Sequence, residues 1–248
     1  MRSAISMQRS VDAHGMALLA LISNAYTTGM LTGALLADDD AIRETAEAVR
    51  IAEEGSDDVG LEIAHIAQGL VLSRRATAAE RDVALELLRQ TRDAQVRRRH
   101  LVYATMADIR IAELTAEAGE VQGAIERARS IVDRLFENGE MFVRGAATAA
   151  LVESLLRGGS DSSDSDLLEA EAAIERLAAV PTDPGFVLNE IWLLRLHALL
   201  ARAHGDEAGY RDYWDRYRAM ATSLGFEGHM KPRRCHDPGW TDELSRCR

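Results

Sequence analysis

The sequence predicts an all-α chain of repeated helical hairpins, and three observations carry that expectation. Composition is the first: 47% of the 248 residues are hydrophobic, only 5% are aromatic and only 4 are proline. A chain dominated by Ala, Leu, Glu and Arg favours helix and lacks the β-branched and aromatic residues that strands need. The second is a segment with a polar opening and apolar residues at helical spacing. It recurs near Asp40, Ala79, Gly119, Asp164 and Gly205, about forty residues apart. The third is the period within one copy. Val121, Ala124, Ile125, Ala128, Ile131, Val132 and Leu135 step by three and four and draw one apolar stripe on a helix.

The first element is uncharged throughout residues 13–37, a length that could cross a bilayer. Ser23, Asn24, Thr27, Thr28 and Thr32 erode its insertion energy, although Gly29 and Gly33 fit a close-contact helix face. Asp12 and His14 spoil a signal-peptide start. The expectation is a buried helix capping the array. Its uncovered face would pair with another copy of the chain or with a domain that precedes it.

Each polar-opening helix is preceded by a more apolar one, at 61–72, 101–118, 142–156 and 186–203. Ala104, Ala107, Ala146, Ala147 and Ala150 let neighbouring helices approach closely. Gly119-Glu120 and Gly205-Asp206 mark turns and set an acid at a helix N-terminus, where the dipole favours it. A hairpin of this kind cannot bury its faces alone, so it stacks on its neighbours. About five such hairpins predict an α-solenoid of the tetratricopeptide-like kind, with a period somewhat longer than the usual 34 residues. Residues 1–230 form this repeat domain. Residues 231–248 change composition abruptly, carry the single lysine and both cysteines, and are expected to be a poorly ordered tail.

Chemistry is searched for and not found. A phosphate-binding loop needs Gly-Lys-Ser/Thr, but Lys231 is followed by Pro232. No GxGxxG turn follows a strand. The seven histidines are scattered, and Cys235, His236 and Cys247 match no common zinc spacing. The acids of residues 158–166 lack the glycine and the final bidentate acid of a calcium loop, which leaves a connector with a helix cap. No catalytic residue, cofactor or metal is therefore expected. A net charge of −11 excludes a nucleic-acid footprint and an anionic membrane surface. Cysteines confined to the C-terminal tail point to a reducing cytoplasm.

The candidate binding residues are those of a groove built from the first helix of each hairpin: Tyr103, Arg110, Arg144 and Arg195. Arg97, Arg98 and Arg99 form a basic turn, either solvated and ion-paired or offered to an acidic partner. Tyr210, Tyr213, Trp214 and Tyr217, with Trp192 upstream, read as core packing of the last hairpin or as a partner groove.

The strings LLADDDAIRETAEAVRIAE (35–53), EAEAAIERLAAVPTD (169–183) and IWLLRLHALLARAHGDEAGYRDYWDRYRAMATSLGFEGHM (191–230) resemble the C-terminal region of large mycobacterial-type multidomain proteins. These join a class III adenylate/guanylate cyclase domain to an ATPase domain and a tetratricopeptide-like tail, sometimes ending in a LuxR-type DNA-binding domain. The resemblance covers residues 10–230 and implies a regulatory or interaction region for catalytic domains lying upstream. None of the relatives' catalytic motifs falls on a residue of this chain. The expected function is a non-catalytic interaction module, with a protein segment or an attached ATPase/cyclase domain as partner. The alternative is a sensor that holds a small effector in the groove.

Overall fold

The computed structural model describes residues 2–75, 77–157, 163–183 and 185–230, with side chains from Gly15 onward. Among these residues the chain is all-α. Its helices are α1 (Arg2–Thr32), α2 (Asp39–Glu54), α3 (Asp58–Leu72), α4 (Ala78–Arg97), α5 (Leu101–Glu117), α6 (Val121–Glu137), α7 (Arg144–Leu155), α8 (Asp164–Ala178), α9 (Val187–Ala203), α10 (Glu207–Leu224) and the single turn α11 (Glu227–Met230). The five polar-opening helices are α2, α4, α6, α8 and α10, each following a more apolar helix, as the repeat requires. Neighbours in sequence pack together: α2 on α3 and α3 on α4, then α6 on α7, α7 on α8, α8 on α9 and α9 on α10. This is the helical-hairpin repeat of the solenoid class. The packing divides into two compact units, one of Met1–Leu31 with Leu35–Asp108, the other of Thr32–Ala34 with the chain from Ile109 onward. The proposed tail, 231–248, lies outside the described residues.

The polar openings are helix caps. Asp38 accepts from the Ala41 N–H at 2.8 Å, Thr77 from Glu80 at 3.2 Å and Asp206 from Gly209 at 2.9 Å. Ser163 and Asp166 form a reciprocal capping box on α8, each device satisfying N–H groups that a helix start leaves unpaired. The helix ends repeat as well. After α5 and α9 the chain turns through Gly119 (φ 96°) and Gly205 (φ 75°). The following N–H then bonds back to Thr115 O or Ala201 O, a left-handed cap that favours glycine. The turns after α2 and α4 have the same bonds, from Asp57 to Ala52 and from His100 to Gln95. There the left-handed residues are Ser56 (φ 53°) and Arg99 (φ 62°).

Burial follows the pattern of each helix. In α6 the stripe Ala124, Ile125, Ala128, Ile131, Val132 and Leu135 is buried. In α7, which packs on α6, α8 and α9, every residue except Glu153 is buried. A helix flanked on several sides must be apolar or small all round. The α7–α9 approach is so close that a Cβ at Gly145 would lie 2.5 Å from Trp192 Cδ1.

The uncharged first helix is longer than its uncharged run and stops before that run ends. Gly33 (φ 72°) turns the chain, and the Leu35 N–H closes the end on Gly29 O at 3.1 Å. One face of α1 is core: Leu19 and Ile22 pack with Ala48, Ala52 and Ala64. No helix among the described residues is long and apolar enough to cross a membrane. In the second unit, buried His229 anchors α11. Its Nε2 lies 2.8 Å from Thr32 O, a pure acceptor, so Nε2 carries the proton and Nδ1 accepts from the Tyr217 hydroxyl at 2.8 Å.

Candidate functional site

The predicted site residues do not come together. Arg110, Arg144 and Arg195 are buried at 3%, 3% and 5% exposure. Arg110 pairs along its own helix with Glu113 at 2.6 Å and Glu117 at 3.1 Å. Arg195 crosses from α9 to Glu153 on α7 at 3.0 Å. Arg144 donates to Leu135 O near the end of α6 at 3.4 Å and lies 4.4 Å from the centre of the Phe136 ring. Arg176 lies 4.1 Å from the same ring. Burial, and the positive Arg176 nearby, hold the Arg144 guanidinium below its ordinary pKa. The negative end of the α6 dipole and the ring face favour its charge. Arg144 and Arg195 thus tie neighbouring helices together, and Arg110 is neutralised along its own helix.

Similar ties recur at the surface about one repeat apart. Arg129 grips Glu169 with two bonds of 2.7 and 2.9 Å, and Arg176 reaches Asp133 at 2.6 Å. In the first unit Gln95 and Arg98 both bond Glu62, at 2.9 and 3.0 Å. Arg97, Arg98 and Arg99 are exposed, so the basic turn is solvated and partly ion-paired. Tyr103 is half-buried and donates to Asn24 Oδ1 at 2.9 Å, which fastens the start of α5 to α1.

That contact marks an exposed apolar surface on the first unit. The outward face of α1 carries Leu18 at 43% and Leu21 at 68% exposure, and at the start of α5 Leu101 and Val102 stand at 58% and 52%. Large aliphatic side chains left this open are typical of a docking surface.

The aromatic group of the last hairpin is divided between core and surface. Tyr217 is buried, and Trp214 lies 5.1 Å from it and 5.9 Å from Tyr210. Tyr213 faces elsewhere, stacked on His197 at 5.0 Å with the Arg216 guanidinium 5.5 Å from its ring. These three side chains line a cleft of about 490 Å³ bounded by the end of α8, the connection to α9, and α9 and α10 themselves. Burial, with Arg216 adding to it, holds His197 below the usual histidine range and favours the neutral imidazole. Asn189 also lines the cleft, at 6% exposure. Nothing in the repeat pattern marks Asn189. The only hint is a polar residue in the first turn of an otherwise apolar helix, VLNEIWLLRLHALL. Elsewhere among the described residues, no three His, Cys, Asp or Glu side chains converge on a metal-sized site.

Fold and geometry together define a helical-hairpin repeat protein with exposed leucines on one face of its first helix and a polar cleft beside α9. Comparisons of the chain with protein-family models, with curated proteins and with solved structures find no match.

Proposed function

We propose that the chain is a non-catalytic helical-repeat interaction module that serves a cyclase/ATPase signalling protein, as a fragment of it or as a partner to it. The observation that carries this reading is the exposed aliphatic face of α1. Leu18 and Leu21 stand in solvent while Leu19 and Ile22, on the adjoining face, fill the core. Exposed leucines at that density are costly to keep unless something covers them. The internal pairing of Arg110 and Arg195 supports the same reading, since these charges act as structural ties. The test is binding between the purified chain and a purified class III cyclase–ATPase protein from the same genome. Binding should weaken at least about tenfold in Leu21→Glu, because a buried leucine contributes about 1.5–3 kcal/mol. Equal binding by both forms would overturn the docking surface.

A second reading, an effector sensor, is favoured by the cleft around His197 and Asn189. Its volume lies in the range of ordinary small-molecule sites, and polar groups converge there beside Phe186, Leu193 and Leu194.

A further inference from the structure

We infer that the segment seated on the apolar surface of the first unit is an acidic amphipathic helix. Its aliphatic stripe lies on Leu18, Leu21, Leu101 and Val102, and its carboxylates meet Arg97 and Arg99. This inference rests on the interaction-module reading and adds the chemistry of the partner.

Two exposed aliphatic pairs adjoin one hydrogen bond. Leu18 and Leu21 are neighbours on the surface of α1, and Leu101 and Val102 open α5. The Tyr103 hydroxyl, next after Val102, donates to Asn24 Oδ1, one turn beyond Leu21, and so holds the two pairs side by side. The turn leading into α5 extends the surface. Every residue from Val96 to Val102 is exposed, in the order Val-Arg-Arg-Arg-His-Leu-Val. Aliphatic groups left open in this number favour a partner that removes them from water.

The fold decides which kind of segment can cover them. The described residues are all helical elements and their connections, so no open sheet edge offers main-chain hydrogen bonds to an extended peptide. Packing of side chains remains, and the segment that presents an apolar stripe to such a surface is an amphipathic helix.

The charges decide its sign. The sequence holds no acid between Asp93 and Asp108, and residues 13–37 carry no charge at all. Glu62 reaches the turn from α3 and is taken up by Arg98 at 3.0 Å. Arg97 and Arg99, both exposed, are the charges the turn presents beside Leu101. In a chain of net charge −11, a positive border here draws an acidic helix to this surface while the rest of the chain repels it. An anionic bilayer is too broad to meet the turn without also meeting that repulsion.

The test is calorimetric titration of the full chain with two synthetic peptides of about 18 residues. Both carry leucine at i, i+3, i+4 and i+7, flanked by glutamate in one and by lysine at the same positions in the other. The glutamate peptide should bind with a Kd below about 100 μM, and the lysine peptide at least about tenfold more weakly. Leu21→Glu should weaken the glutamate peptide about tenfold or more. Arg97→Glu combined with Arg99→Glu should weaken the glutamate peptide and strengthen the lysine peptide, each about fivefold or more. Loss of fold cannot produce that reversal. Equal binding of the two peptides, no binding of the glutamate peptide, or indifference of that peptide to the arginine substitutions would overturn the proposal. Phosphatidylserine vesicles that capture the chain but not its Leu21→Glu form would reassign the surface to a membrane and overturn it too. If a class III cyclase–ATPase protein binds through Leu21 yet ignores the arginine substitutions, the partner's chemistry is wrong while the interaction-module reading stands. If the peptides behave as expected and that protein does not bind, the chemistry stands and the cyclase/ATPase assignment falls.

Discussion

The same substitution, glycine to alanine, should have opposite signs at positions on two consecutive helices, α6 and α7. Gly123 lies inside α6, exposed, with nothing within 4 Å of an added Cβ. Alanine there gains helix propensity and removes unfolded-state freedom, worth about 1 kcal/mol. Gly145 is the second residue of α7, and its added Cβ would stand 2.5 Å from Trp192 Cδ1 and 3.0 Å from Cγ. Trp192 is 2% exposed and cannot swing into solvent without vacating the core. Overpacking of this kind costs about 1–3 kcal/mol, and the propensity gain near a helix start offsets only part of it. For a chain of this size each kcal/mol moves Tm by about 2–4 °C. Gly123→Ala should therefore raise Tm by about 2–4 °C, and Gly145→Ala should lower it by about 2–8 °C. Thermal unfolding followed by circular dichroism and by tryptophan fluorescence checks both. A Gly145→Ala protein as stable as Gly123→Ala would refute the close α7–α9 contact and the layering built on it.

Two further perturbations probe the turns and the buried histidines. Arg99→Gly should stabilise the chain by about 0.5–1 kcal/mol in urea unfolding, because the left-handed conformation costs a side chain about 1–2 kcal/mol, partly offset by glycine's unfolded-state freedom, and the repeat uses glycine at the matching position 139. Burial also holds His65 and His197 below the usual histidine range. Each therefore contributes stability that is whole above the unfolded value of about 6.5 and is lost as pH falls through it toward the lower folded value. His197→Gln should accordingly lose less Tm than the wild type between about pH 7.5 and 5.5.

The fold was legible because the repeat is written locally. The capping residues Asp38, Thr77, Ser163 and Asp206 stand in the sequence just before their helices, and the stripe on α6 is visible in seven residues. The candidate site was far less legible, for a physical reason. Arginine is read as a surface residue, yet Arg195 is held inside the array by Glu153, 42 positions earlier, and Arg110 by acids on its own helix. Whether a charge on the first helix of a hairpin faces solvent depends on what stacks against it, which no local period records. The halves of the cleft, Asn189 and His197 on one side and Tyr213 and Arg216 on the other, lie on separate helices whose apposition is tertiary. The first helix was foreseen as apolar, but not which of its leucines would remain exposed; only the packing of Leu19 and Ile22 against α2 and α3 leaves Leu18 and Leu21 outside.

The most direct test of the central claim is the affinity of the purified chain for a class III cyclase–ATPase protein from the same genome, measured by biolayer interferometry with wild type and Leu21→Glu side by side. Saturable binding that weakens at least about tenfold in the variant, with Tm unchanged, is the predicted result. Binding indifferent to Leu21, or none at any accessible concentration, would contradict it.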